Sequence, residues 1–454
     1  MRKVMTYPGH FRAIAVLGLP LIGGHLAQYA IGLTDTVMLG WYGVKALASV
    51  TLASSYFFVL FLFGAGFGWA VMPMVATAAA EEDETSIRRS TRMGLWLSLI
   101  YATIMMPLLW WSYPVLIALK QEPEVAEIAS QYLRVAGWGL FPALLVMVLK
   151  SYLAALERTQ VVLWITVIAA IVNGTTNYAL IFGNWGAPEL GVTGAAIASL
   201  LTQGVSLAAV VIYAVWVMPE HSLFQRFWRP DSEMFFSVLK LGVPIGLTNL
   251  AEVSLFATSA VMMGWLGQVP LAAHGIALNL TSATFMLHLG LSNVATIRAG
   301  NALGRQDRAH LEKGAIAVTI MSLIMSVLTI ILFLTCAEQL ISLFMEADDP
   351  LRPQILLIGA GLLAMAALFQ LVDGAQVIAL GLLRGLQDAR VPMVMAALSY
   401  WAVGIPASYY FGFVLGMDGI GVWLGLVLGL ACAAVLLMAR FWFRSVQDVR
   451  YAPA

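Results

Sequence analysis

Apolar runs of spanning length recur from one end of the chain to the other, broken only by short charged or Gly/Pro-rich stretches. A membrane-crossing helix needs about 20 predominantly apolar residues, and in lipid its backbone polar groups must be paired within the segment. The runs lie near 13–38, 47–79, 93–118, 131–155, 161–183 and 191–217. After a polar connection at 218–234, six more lie near 235–265, 270–300, 314–345, 354–383, 391–416 and 419–441. This pattern predicts an all-α integral membrane protein of twelve transmembrane helices. Composition agrees: 61% of residues are hydrophobic and 11% charged, where a soluble domain carries about 25% charged. A water-soluble fold of this length would lack the polar residues to cover its surface. The run at 13–38 reads as the first span, because a cleaved signal peptide would have a shorter apolar region ending in small residues.

The same composition excludes several functions. Zero net charge argues against a nucleic-acid partner, which would call for a basic face. Cys336 and Cys432 lie in apolar stretches far apart, so no disulfide framework is indicated. The dipeptide Gly-Lys never occurs, which removes a phosphate-cradling loop and with it ATP hydrolysis. His and Cys show no metal-ligand spacing, and no cofactor is expected beyond a coupling ion.

Charge placement predicts the orientation. With the N-terminus inside, 20 of the 24 Lys and Arg residues fall in cytoplasmic segments, Arg2, Lys3, Lys150, Arg298, Arg384 and Arg450 among them. Only Lys45, Lys120, Arg134 and Arg352 fall on the other side. Cytoplasmic loops carry such an excess, so both termini are expected in the cytoplasm. Of the 24 acids, twelve fall in cytoplasmic segments and nine in outer loops, including Glu346, Asp348 and Asp349. Asp35, Glu252 and Asp373 remain, within or near the ends of helices 1, 7 and 10. An acid at a helix centre costs roughly 2.5–3.5 kcal/mol on the insertion scale. A single one could merely bond a neighbouring helix. Three, with no Lys or Arg expected at a membrane centre to pair with them, point to carboxyls that stay protonated or bind a cation.

Residues 17–48 align without gaps on 241–272, an offset of 224. LGLP (17–20) meets LGVP (241–244), and VMLGWYG (37–43) meets VMMGWLG (261–267). The reading is two pseudo-symmetric six-helix bundles, 1–217 and 235–454, joined by a linker at 218–234. Carriers often bind substrate between such repeats and rock one against the other. The acids break the symmetry: Asp35 aligns with Ser259, and Glu252 with Gln28.

The strings GLTDTVMLG (32–40), YLRVAGWGLFP (132–142), GVTGAAIAS (191–199), AEVSLFA (251–257), HGIALN (274–279), ATIRAGNALG (295–304) and LFQLVDGAQVIALGLLRGLQDARVPM (368–393) carry a resemblance. In this order and spacing the chain resembles the multidrug and toxic compound extrusion (MATE) family, NorM branch, over nearly its whole length. The resemblance implies export of small cationic, often aromatic drugs in exchange for Na⁺ or H⁺ by alternating access between two bundles, from a protein taken as monomeric. It places the helix 1 acid on Asp35 with amide neighbours Asn173 and Asn177, and a C-terminal cation site, open to Na⁺, on Glu252 and Asp373. The search for unpaired intramembrane acids finds the same three. Phe256, Phe285 and Phe369, near the acids, could face a cationic aromatic drug through their rings, although packing is the commoner role of any one.

The chain departs from the family pattern at Asn173-Gly-Thr-Thr-Asn177, where the branch tends to carry proline, and at His288, where it usually has proline. A lone membrane histidine is more often a hydrogen-bonded packing residue than a titrating one. Other functions fit less well. A lipid-linked oligosaccharide flippase of the same superfamily would have extra helices and basic residues in its cavity. An intramembrane enzyme would need a nucleophile or paired acids near one surface. A facilitator-superfamily carrier would have a basic signature between helices 2 and 3, where this chain reads AEEDETSIRRS.

Overall fold

The computed structural model describes residues 5–345 and 350–449. Of the charges placed above, Arg2, Lys3, Glu346, Asp348, Asp349 and Arg450 lie outside the described residues. No strand occurs among the described residues. Twelve long helices follow the twelve apolar runs. They are α1 Tyr7–Tyr42, α2 Val44–Ala80, α3 Glu84–Trp110, α4 Pro123–Ala155, α5 Thr159–Phe182 and α6 Gly191–Val217. The second set is α7 Ser232–Leu266, α8 Gln268–Gly304, α9 Arg308–Thr335, α10 Arg352–Gly385, α11 Arg390–Val414 and α12 Asp418–Ser445. Two short helices, Ser112–Ala118 and Ala337–Ser342, take up the ends of the third and ninth runs.

Among the described residues, eleven of these helices are long and apolar enough to cross a membrane. The exception is α8, which has the length but is interrupted by polar residues. Its His274, His288, Asn293, Arg298 and Asn301 are buried, so they face protein, where intramembrane polar groups are tolerated. Large apolar side chains stand exposed instead, Trp216 and Leu357 at 79% each. The chain is a multi-pass membrane protein.

Contacts group the chain into two compact units. The N-terminal unit is Gly23–Gly246, and the C-terminal unit joins Met1–Ile22 to Leu247–Ala454. Repeats and units are thus different divisions of the chain. The start of α1 belongs with the second repeat, and the linker and the start of α7 with the first. Both changes of unit, after Ile22 and after Gly246, are again 224 residues apart and each falls two residues beyond a mid-helix proline, Pro20 or Pro244.

Glycines explain the exchange. In the N-terminal unit α2 and the start of α7 meet backbone to backbone: a Cβ on Gly66 would lie 2.5 Å from the Gly242 carbonyl oxygen, and one on Gly246 2.6 Å from that of Phe63. In the C-terminal unit α8 and the start of α1 meet likewise, a Cβ on Gly290 falling 2.9 Å from the Ile22 backbone nitrogen. Gly66 and Gly290 are themselves 224 apart. Small residues that admit such approaches are the usual means of packing helices in lipid, where apolar burial gives little drive.

The repeat extends past the aligned sequence. Asp83 caps α3 by accepting from Ser86 N at 3.0 Å, and Asp307 caps α9 by accepting from His310 N at 2.9 Å. These side chains satisfy amides that helix starts leave unpaired. The residues before them, Glu82 and Gln306, both take left-handed backbone angles, with φ of 61° and 51°. The linker is docked on α3: Arg92 donates to Arg226 O at 2.8 Å, Trp96 to Phe227 O at 2.8 Å, and Arg89 pairs with Asp231 at 2.5 Å. Hydrogen bonds from Arg89 hold the Asp231 carboxyl below the usual carboxylate range.

No Lys or Arg was expected at a membrane centre to pair with the acids; two basic residues nevertheless belong to spanning helices, and the charge of one of them, Arg384, reaches Glu252. Lys150 is part of α4, half-buried, and its Nζ donates to Thr166 Oγ1 at 2.8 Å. Arg384 belongs to the last turn of α10, because that helix runs on past the apolar stretch ending at 383.

Candidate functional site

In the N-terminal unit, α1 and α5 bring Asp35, Asn173 and Asn177 together. The two asparagines are four residues apart, which places them one above the other on a single helix face. Asn177 Nδ2 donates to Asp35 Oδ1 and to Asn173 Oδ1, the latter at 3.2 Å. Both amides are buried, at 1% and 0% exposure. Their hydrogen-bonding capacity is only partly spent: among the described residues the donor Asn173 Nδ2 and the acceptor Asn177 Oδ1 have no hydrogen-bond partner. A carboxylate beside an unused amide carbonyl offers two oxygens to a small hard cation or to a cationic amine. The helix, Thr159–Phe182, runs through the position of the absent proline without interruption. Tyr132, on α4, lies within electrostatic reach of Asp35 and bonds Ser199 at 3.5 Å. Sequence reading quoted its motif and gave it no role.

In the C-terminal unit, Glu252 on α7 and Asp373 on α10 lie close enough for their charges to interact. Asp373 is 2% exposed, and among the described residues its Oδ1 has no hydrogen-bond partner. Among the described residues neither acid forms an ion pair within 4 Å. A buried carboxylate oxygen left bare is costly unless a proton or a cation occupies it.

Three further groups surround the pair. Gln376, one turn beyond Asp373, donates from Nε2 to the Tyr400 hydroxyl at 2.5 Å. Tyr400 is fully buried and feels Glu252, Asp373 and Arg384 alike. It sits at the start of a π-helical stretch of α11, Ser399–Gly404. Proline at 406 cannot donate the ordinary helical hydrogen bond, and a locally widened turn accommodates the loss. Arg384 Nη2 donates to Asn249 Oδ1 at 3.1 Å, and its charge reaches Glu252. Asn249 is three residues before Glu252, on the same face of α7.

Helical spacing could have found Arg384. It follows Asp373 by eleven residues, about three turns, so the two share a face of α10. The run LVDGAQVIALGLLRG holds both, but assigning charges to loops by sign hid the second.

His288 is fully buried, with Nδ1 2.9 Å from Ser322 Oγ and Nε2 3.5 Å from Ser326 Oγ. These partners, one turn apart on α9, hydrogen-bond the ring on both nitrogens, as a packing residue would be. Phe256 and Phe369 make an edge-on contact at 5.9 Å, and Phe369 continues to Trp423 at 5.8 Å. Phe285 is half-buried on α8, and among the described residues no ring contact ties it to that cluster.

Two helical units with acids inside their spans, one in the first and two in the second, define the class of polytopic membrane carriers. Comparison makes the class specific. The profile of the MatE family matches residues 20–179 and 244–410. A protein of Rhizobium meliloti named "Probable multidrug resistance protein NorM" is 45% identical, the match covering 99% of this chain and 96% of that one. One of the same name from Brucella suis is 35% identical over 95% and 93%. Among solved structures, an outward-facing multidrug resistance MATE family transporter of the MOP superfamily has a TM-score of 0.87 at 20% identity, covering 100% of this chain and 99% of that one. The eukaryotic MATE transporter AtDTX14 has 0.86 at 17%, covering 98% and 99%. The chain belongs to the MatE family, and it is a transporter, not an enzyme.

Proposed function

We propose that this protein exports small cationic drugs, many of them aromatic, in exchange for inward Na⁺ or H⁺. It does so by alternating access as a monomer in a bacterial inner membrane, with both termini cytoplasmic. The observation that carries the reading is the pair of half-buried Glu252 and buried Asp373, with, among the described residues, no partner for one Asp373 oxygen and no ion pair at either acid. Such a pair gains its missing partner when a cation enters and loses it when the cation leaves, which is what coupling requires. Asp35 with Asn173 and Asn177 supplies a second anionic site in the other unit, suited to the cationic substrate or to an ion relay. The names of the relatives support the drug substrates.

The test is efflux from reconstituted vesicles, with a Na⁺ gradient and a pH gradient imposed separately. Drug should move against its own gradient under at least one of them and stop when Glu252→Gln or Asp373→Asn is introduced. Uphill movement under neither gradient, or efflux by both variants at the wild-type rate, would sink the reading.

A further inference from the structure

We propose that Arg384 sets the charge accepted by the acid site, restricting it to a single positive charge at a time. The inference rests on the cation-coupled reading above and adds to it a residue that selects the ion.

Net charge decides which ion a low-dielectric site can hold. Glu252 and Asp373 carry two negative charges when ionised. Arg384 is permanently cationic at any working condition. It is anchored by its 3.1 Å hydrogen bond to Asn249, one turn from Glu252, which sets its charge within electrostatic reach of Glu252. Among the described residues the other groups around the pair add no charge: Tyr400 on α11 is a neutral phenol bonded by Gln376, His288 on α8 is held between two serines, and α12 presents Trp423, bonded to His274. Two acids and one guanidinium leave one uncompensated negative charge, which one monovalent cation neutralises. A divalent ion would leave the site with a net positive charge in low dielectric, where unbalanced charge is costly. Without Arg384 the same two carboxylates would form a doubly negative oxygen site, which suits a divalent ion.

Arg384 also stands where it can act without blocking the acids. It lies about three turns from Asp373 along α10, so the transported cation can occupy Asp373 while the guanidinium stays on Asn249. It is a tethered counter-charge, tuning the site through Glu252.

The experiment uses purified full-length protein carrying Asp35→Asn, which silences the acid of the other unit, and measures binding of Na⁺ and Ca²⁺ by calorimetry. The parent should favour Na⁺ or bind neither metal tightly. Arg384→Gln should tighten Ca²⁺ binding at least tenfold, and Arg384→Lys should keep the parent's preference. Against misfolding, Arg384→Cys in a Cys336→Ser, Cys432→Ser background allows the charge to be toggled on one folded protein. A neutral methylthio adduct should bind Ca²⁺, and an aminoethylthio adduct should lose it. An unchanged Na⁺ to Ca²⁺ preference in both Arg384→Gln and the neutral adduct would overturn the proposal. Failure of the underlying reading looks different: Glu252→Gln and Asp373→Asn would leave cation binding as it is in the parent.

Discussion

The two units hold their acids by opposite means. In the N-terminal unit one carboxyl, Asp35, is held by neutral dipoles: Asn177 donates to it, and Asn173 steadies Asn177. In the C-terminal unit two carboxyls crowd together, one oxygen of Asp373 is left bare, and an arginine offsets part of the charge. A dipole-held acid can keep its place whether or not a ligand is bound. A crowded pair changes greatly in energy when a cation arrives or leaves. On the function proposed above, the first site would serve the substrate or a relay and the second the coupling ion, on backbones that repeat at a fixed offset.

The largest effect expected from breaking this contrast lies in the C-terminal pair. Glu252→Gln and Asp373→Asn should each abolish gradient-driven efflux while membrane insertion stays normal, since a neutral amide is easier to place in lipid than a carboxylate. Drug resistance in cells, scored against the amount of protein in the membrane, tests it. Resistance at the wild-type level from either variant would take that acid out of the mechanism.

The next effect is smaller and sits in the other unit. Asp35→Asn should weaken binding of a cationic drug by roughly tenfold, about 1.4 kcal/mol, and leave cation binding at Glu252 and Asp373 intact. Direct binding of drug and of Na⁺ to purified protein separates the two. Identical curves for mutant and wild type with both ligands would reduce Asp35 to a structural residue.

The glycine crossings allow the repeat itself to be tested. Gly66→Ala places its Cβ 2.5 Å from backbone oxygen, whereas Gly290→Ala first meets the Ile22 side chain at 2.5 Å and backbone only at 2.9 Å. Overpacking costs about 1–3 kcal/mol, and the Gly66 variant should lie at the upper end because backbone cannot yield as a side chain can. Thermal unfolding in detergent, followed by tryptophan fluorescence, gives the order. A less stable Gly290 variant would reverse it.

The smallest effect concerns the paired caps. Asp83→Ala and Asp307→Ala should each cost about 1 kcal/mol, and by similar amounts because the turns match. Hydrogen bonds from Ser86 hold the Asp83 carboxyl below its ordinary range. Its folded value is therefore the lower one, so the cap contributes fully above the unfolded carboxylate range and is lost as pH falls through the folded value. The stability gap between wild type and Asp83→Ala should close on acidification. A gap independent of pH would show that the carboxylate charge does not carry the cap.

By itself the sequence determined the helices, the repeat and the three acids. Each follows from a local rule: spanning length, the cost of a buried charge, and the identity of residues 224 apart. All twelve predicted spans have a helix, with ends that moved because helices continue into polar sequence once side chains can reach a protein surface or an interface. Asp35 with Asn173 and Asn177 was legible through family resemblance, and the contact then followed from two asparagines on one helix face. Only the tertiary structure decided which unit the start of each repeat joins, since that depends on Gly66 and Gly290 meeting backbone from the far end of the chain. It also placed Lys150 against Thr166, fixed His288 between two serines and left Phe285 outside the ring cluster. Arg384 shows the reason most plainly. A charge near the end of an apolar run looks like a loop charge from sequence, and the acid its charge reaches lies on another helix 132 residues earlier, at Glu252. Helix formation is decided by neighbours along the chain, whereas charge compensation is decided by neighbours in space.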